Sequence, residues 1–427
     1  MWSNIRLVCQ NPNFVFQQVE RCRGVPLHLS IALPYVVFRT GGEPYLARFK
    51  QVAPIIKALR NQVRSISALS GDFRAFRQEL GLDWPNLEEL DWVDVRQGFP
   101  GVRERNPPVP DEDRSTPKLR YLSAKWGLPW EMKSVTSLTT LKLEAPMNID
   151  VFKLLQATPH LESLELVRSY THLSPAQPTS INMPRLTRLA MRNFEYGQLF
   201  MHIILPSLRN LYVNPIADPG EPVGIIWGKI QVPPAITVVK IEYPAHRSNE
   251  ISITGSNEAE THTLNLKEYA TRSPRMTQAL CNASLASVTT LSVGRGVPEL
   301  GVQLPSTPVC VLISGLPHLR RLVTFPSQFT LAVMEYLRDH PIACPELRIL
   351  NLSVVRWTCE EVFKLLLEFV TNRANSKRWL HRIGCVVLKA GGNPLETSNL
   401  WNSMSQRYEL GKYLRCDGDD EVRRAQV

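Results

Sequence analysis

Histidines, cysteines, serines and acids are all present in this chain, but none stands at a spacing that assembles a reactive centre. The nine histidines (28, 160, 172, 202, 246, 262, 318, 340 and 381) form no HExxH and no i,i+4 pair with a carboxylate at ligand spacing. His160 and His318 each lie between a proline and a leucine, in matching places of a recurring phrase, which marks them as turn positions. No serine sits in a GxSxG frame, and Gly41–Gly42 and Gly391–Gly392 are simple turn pairs rather than a phosphate cradle. The acidic group between Asp417 and Glu421 is too short for a calcium loop. Eight cysteines (9, 22, 281, 310, 344, 359, 385 and 416) include no CxxC, and several lie in apolar stretches, as buried reduced thiols do. Asn282 and Asn351 open glycosylation-type triplets that read as chance matches. The expectation is a protein that is not an enzyme and calls for no cofactor and no metal.

What remains is binding chemistry, and a recurring apolar phrase says where it would sit. A leucine-like residue, two positions, a second, one position and a third recur ten times, as in Leu138, Leu141 and Leu143, or Leu161, Leu164 and Leu166. The phrases begin at Leu87, Leu119, Leu138, Leu161, Leu186, Leu208, Ile236, Val288, Leu319 and Leu347. A proline often stands two residues upstream, as at Pro159, Pro184, Pro206, Pro317 and Pro345. The intervals run from 19 to 52 residues, mostly in or just beyond the leucine-rich-repeat range. This pattern predicts an α/β leucine-rich-repeat solenoid. A curved parallel sheet would line the concave side, with helices and irregular turns on the convex side.

Side chains alternate across a strand, so residues between the inward leucines face solvent. Ten of them are candidates for partner binding: Tyr121, Lys125, Lys142, Glu165, Arg188, Arg192, Tyr212, Asn214, Arg321 and Phe325. Aromatics and arginine are the types enriched at binding hot spots. Ala190, between Arg188 and Arg192, is expected on the same outward face. The strip begins acidic and becomes more basic in the middle, which could orient a charged partner.

Further elements follow from local patterning. Residues 27–31 alternate as a strand does, and residues 63–69 read as another. Phe49, Val52, Ile55, Ile56 and Leu59 share one helix face, with Pro54 expected near the helix's first turn. Helical periodicity is also expected at Asp72–Leu80 and around Ile149–Leu155, and a further strand at Ile383–Leu388. Thr358 and Glu361 form a capping box. Three regions are expected: 1–82 with degenerate capping repeats, 83–390 as the array, and 391–427 as a helix and polar disordered tail. A loop insertion is placed near 98–115 and a hairpin-like one near 245–268.

Composition bounds the partners. No apolar run approaches the roughly 18 residues of a membrane span, and the start lacks a signal peptide's pattern. A cytoplasmic or nuclear protein with no membrane partner is expected. Residues 1–82 hold +7 of the net charge of +10. These charges are singly spaced, so solvated helix faces explain them better than nucleic acid.

The residues Trp2 to Ile5, the stretch Val19 to Ile31, Val63 to Leu69 and the Pro-x-Leu-x-x-Leu phrases carry a resemblance. In order and type they are similar to the fungal (basidiomycete-type) F-box proteins with leucine-rich repeats. The resemblance implies repeats that hold a protein substrate, and an F-box that recruits a Skp-type adaptor and a cullin ubiquitin ligase. The chain departs from that pattern by opening at the final turn of where an F-box would end. A Skp-type adaptor is therefore expected as a partner only if F-box helices are encoded upstream. The alternative is an autonomous leucine-rich-repeat scaffold or interaction protein with no ligase role.

Overall fold

A computed structural model describes residues 3–6, 12–22, 24–32, 43–70, 84–94, 118–125, 135–145, 151–167, 180–194, 202–215, 232–242, 250–269, 285–293, 307–324, 327–355, 359–378, 380 and 382–388. The fold is α/β with a large, mostly parallel sheet and few helices. The chain divides into two compact units, Met1–Leu208 and Arg209–Val427. Asp72–Leu80, Thr358, residues 98–115 and the tail 391–427 lie outside the described residues.

In the first unit the strands are β1 (Ser3–Arg6), β2 (Leu27–Ala32), β3 (Val63–Ser70), β4 (Glu89–Asp94), β5 (Tyr121–Lys125), β6 (Thr140–Glu144), β7 (Ser163–Val167) and β9 (Arg188–Phe194). They lie side by side in that order, every pair parallel. Ser3–Arg6 is thus a strand, paired to β2. A separate short pair joins β8 (Ile181–Asn182) to β10 (Ile203–Ile204). The helices are α1 (Pro12–Arg21), α2 (Glu43–Ala58) and α3 (Val151–Gln156). Helix α2 buries Phe49, Val52, Ala53 and Ile56. Pro54 lies well inside α2, not near its first turn, and is exposed there. It removes the N–H that would bond the carbonyl of Lys50, one solvated turn from the helix end.

The second unit holds β11 (Asn210–Pro215), β12 (Val238–Glu242), β13 (Glu250–Ser256), β14 (Thr263–Tyr269), β15 (Thr290–Val293), β16 (Arg321–Thr324), β17 (Ile349–Val355) and β18 (Arg382–Leu388). Their order is β11-β14-β13-β12-β15-β16-β17-β18. Strand β13 runs antiparallel to both neighbours, so residues 250–269 form a hairpin inserted in reverse order between two parallel runs. Helices α4 (Thr307–Ser314), α5 (Ser327–Asp339) and α6 (Cys359–Asn375) pack successively, and α5 and α6 both touch β17.

One turn recurs before the strands. The amides of Leu87, Leu138, Leu161, Leu186, Leu208, Ile236, Val288, Leu319 and Leu347 each donate to the carbonyl three residues earlier, at 3.0–3.3 Å. Those earlier residues are Trp84, Val135, Thr158, Met183, Leu205, Pro233, Leu285, Leu316 and Cys344, and all are buried. In seven of the nine turns the next residue is proline (Pro85, Pro159, Pro184, Pro206, Pro234, Pro317 and Pro345). A turn's second position needs no N–H and suits the fixed φ of proline. The polar members of the buried slot bond back to helix carbonyls: Thr158 Oγ1 to Leu154 at 3.0 Å and Cys344 Sγ to Ile313 at 3.2 Å.

At most junctions one carbonyl ties a phrase to the next. The Arg120 carbonyl accepts from the amides of Thr139 and Thr140, both at 2.9 Å. Thr139 accepts likewise from Glu162 and Ser163, Glu162 from Thr187 and Arg188, Thr289 from Arg320 and Arg321, and Arg320 from Arg348 and Ile349. Threonine hydroxyls add a third donor at Arg120 and Glu162, each at 3.2 Å.

Register then decides the core. In the first unit Ile5, Leu29, Ile66, Leu90, Leu122, Leu141, Leu164 and Leu189 stand in one row, all buried. In the parallel row Trp92 is flanked by Ala68 and Ala124, so two small side chains make room for the indole. The corresponding row in the second unit runs Leu211, Leu264, Gly255, Val239, Leu291, Leu322, Leu350 and Ile383. Gly255 stands where its neighbours place apolar side chains, because a Cβ there would meet Ile236 Cγ2 at 3.0 Å and Leu264 Cβ at 3.1 Å.

A buried arginine holds the loop between α5 and β17. Arg373 of α6 is 1% exposed. It donates to the carbonyls of Pro341, Ala343, Cys344, Pro345, Leu347 and Arg378 at 3.1–3.4 Å. Its guanidinium carbon also lies 5.5 Å from the Phe369 ring centroid. Burial pushes its pKa down to about 10, which leaves it charged at neutral pH.

Two stability outcomes follow. Gly255→Val should cost about 1–3 kcal/mol by overpacking, read as a lower urea midpoint, and an unchanged midpoint would show that β13 can move aside. Arg373→Met should cost about 2–4 kcal/mol, because the loop carbonyls lose a charged donor. Arg373→Lys should not restore it, since an ammonium cannot span six carbonyls.

Candidate partner-binding face

The polar side of the first unit's sheet is as regular as its core. One row runs Asn4, His28, Ser65, Glu89, Tyr121, Thr140, Ser163 and Arg188. A second, two residues further along the strands, includes Ser30, Ser67, Asp91, Ser123, Lys142, Glu165 and Ala190. The alternation is clean on β5, β6 and β7, where half-buried residues alternate with buried ones.

Six of the ten candidates lie together here, on β5, β6, β7 and β9. Tyr121 is half-buried between Glu89 and Thr140 in the row, and Arg188 is exposed at the row's end. Lys125 is directly opposite Glu144 and bonds it, with Nζ to Oε1 at 2.6 Å. Arg192 Nε lies 3.5 Å from Glu165 Oε1, a diagonal reach, since Glu165 stands opposite Ala190. Lys142 is opposite Glu165 in register, yet the Glu165 carboxylate turns to Arg192. Ala190 has the outward register expected for it, opposite Glu165, yet is only 3% exposed. Its methyl lies between two long arginine side chains on the same face and contributes no surface of its own.

Of the remaining candidates, the three that are described lie in the second unit, and Arg321 is not brought together with Tyr212 and Asn214. Tyr212 and Asn214 are half-buried on β11, whereas Arg321 is exposed on β16, with β14, β13, β12 and β15 in between. Beside β11, the Thr263 hydroxyl donates to Asn210 Oδ1 at 2.8 Å. Phe325 lies outside the described residues.

Sequence patterning missed two polar clusters. His28 Nδ1 and Ser65 Oγ are 2.7 Å apart, a serine–histidine contact, with the serine only 3% exposed. The β2–β3 pairing slips between Leu27 and His28, so aligning the two strands residue by residue pairs His28 wrongly. On the turn edge, Glu346 accepts from His318 Nδ1 at 2.7 Å and from Arg320 Nε at 3.1 Å. Those two hydrogen bonds, the histidine's first, hold its carboxyl below its ordinary pKa. This cluster could be anticipated from the shared turn slot of His318 and Glu346.

Burial pushes the Cys310 thiol up to about 11 and the Cys344 thiol up to about 12, so both stay protonated at neutral pH. Among the described residues no group of three or more histidines, cysteines or acids is placed to hold a metal ion. Nor is any helix among them long and apolar enough to cross a membrane.

The cross-strand ion pairs are partly solvated and should contribute little to folding. A double-mutant cycle on Lys125→Ala and Glu144→Ala should give a coupling of about 0.2–1 kcal/mol. A value above about 2 kcal/mol would make the pair a structural element rather than part of an open surface.

No protein-family model matches this chain, and no curated protein matches it in sequence.

Proposed function

We propose that this chain is a leucine-rich-repeat recognition module, whose polar sheet face is the concave surface that binds a protein partner. The observation that carries the reading is the repeated unit: a buried residue, a proline turn, an inward leucine and a strand laid parallel on the previous one. Such units bury their leucines only against their neighbours and leave one strand face for a ligand. By its resemblance to F-box proteins the bound protein would be a substrate for ubiquitin transfer, with a Skp-type adaptor as partner only if F-box helices are encoded upstream of the repeats. No catalytic role is assigned, and the module would work in the cytoplasm or nucleus.

Affinity capture with mass spectrometry tests the recognition claim. The triple variant Tyr121→Ala/Lys142→Glu/Arg188→Glu should bind the captured partner about thirtyfold more weakly, the equivalent of a 2 kcal/mol hot spot. A control at the turn edge, His160→Ala, should retain it. Equal loss in both, or in neither, would contradict the assignment of this face. The ligase link is tested separately by co-purification with a Skp-type adaptor. Binding is expected only when upstream F-box helices are included, and stable binding by residues 1–427 alone would overturn that arrangement.

A further inference from the structure

On the polar face of the first unit the charges left uncompensated are sorted by strand. Two of its cations, Lys125 and Arg192, are compensated by Glu144 and Glu165. Four charges stay without an ion-pair or hydrogen-bond partner among the described residues: Glu89 and Asp91 on β4, Lys142 on β6 and Arg188 on β9. Glu89, Asp91 and Arg188 are exposed and Lys142 is half-buried.

The pairing places these four on two rows. Glu89 and Arg188 end a stretch whose middle is Tyr121, Thr140 and Ser163. Asp91 and Lys142 stand either side of Ser123. From β4 onward the uncompensated charges of both rows therefore run from negative on β4 to positive on β6 or β9, with neutral hydrogen-bonding groups between them.

Strand spacing sets the scale. Neighbouring strands are ~4.8 Å apart, so Asp91 and Lys142 are separated by ~10 Å, and Glu89 and Arg188 by ~19 Å. Both separations exceed the Debye length of ~8 Å at physiological ionic strength, so each end acts on its own counter-charge. A uniformly acidic or uniformly basic partner would meet like charge at one end of the face, which is costly. An extended segment advances ~3.3 Å per residue, so ~10–19 Å corresponds to three to six residues.

We propose that this face binds an extended peptide segment of opposite polarity. A lysine or arginine would lie over Glu89 and Asp91, and an aspartate or glutamate three to six residues away over Lys142 and Arg188. Tyr121 supplies a half-buried ring under the middle of the segment, and Ser123, Thr140 and Ser163 supply hydroxyls to its backbone. This inference rests on the recognition reading above and specifies the chemistry of the partner.

The test is selection of a random octapeptide display library on the full chain. Two charge-reversed variants, Glu89→Lys/Asp91→Lys and Lys142→Glu/Arg188→Glu, are run in parallel, each checked for an unchanged circular dichroism spectrum. The wild type should enrich peptides with a basic and an acidic residue three to six positions apart. The first variant should lose the basic preference, the second the acidic one, each by at least tenfold in enrichment. The fourfold reversed variant should recover bipolar peptides. Peptides of one charge sign, or one set shared by all variants, would overturn the proposal. If the selected peptides show no charge pattern but are lost on Tyr121→Ala, the face still binds and only its polarity is wrong. If no selected peptide depends on any of these residues, both the polarity and the recognition reading fail.

Discussion

Over most of the sheet, both faces depend on carbonyls that each accept two amides from the next phrase. Arg120, Thr139, Glu162, Thr289 and Arg320 all play this part. A doubly bonded carbonyl leaves the following strand no freedom to slip, and a one-residue slip would exchange the buried and polar faces. The turn just upstream performs the complementary task. Proline fixes its geometry, and a buried residue at its first position anchors the backbone to the core.

With register settled, side-chain size and charge become positional. The leucine rows stack because each phrase starts at the same height, and deviations from leucine have local causes. Trp92 fits because its neighbours are Ala68 and Ala124. Gly255 leaves room where a Cβ would meet Ile236 Cγ2 at 3.0 Å and Leu264 Cβ at 3.1 Å. The same ordering aligns Glu89, Tyr121, Thr140, Ser163 and Arg188, residues far apart in the chain, into one transverse row. A polar row of this kind arises from strand order, since no single segment of the sequence contains it.

Much of this was legible in the residues, and the reasons for the rest are physical. The strands read at 27–31 and 63–69 appear as β2 and β3, because period-two patterning survives wherever one face is buried. The α/β class and the parallel pairing followed from the phrase itself. Pro54 was misplaced because periodicity marks a helix face without fixing the helix's start, and α2 begins earlier, at Glu43. The His28–Ser65 contact was hidden by a slip in strand pairing. Arg373 gave no signal because its partners are backbone carbonyls of a loop, which have no sequence signature. Among the candidate residues, solvent-facing direction was readable from alternation, but compensation was not. That Lys125 and Arg192 are paired while Lys142 and Arg188 are not depends on which side chains meet across strands.

The central claim is that, where a carbonyl is shared by paired amides, it holds a phrase to the one before. Residue-resolved hydrogen–deuterium exchange measures this directly. The amides of Thr139, Thr140, Glu162, Ser163, Arg320 and Arg321 should exchange as slowly as those of the buried leucines beside them, although several of these residues carry exposed side chains. Exchange at the rate of solvated turn amides, with protection confined to the strand centres, would contradict the claim.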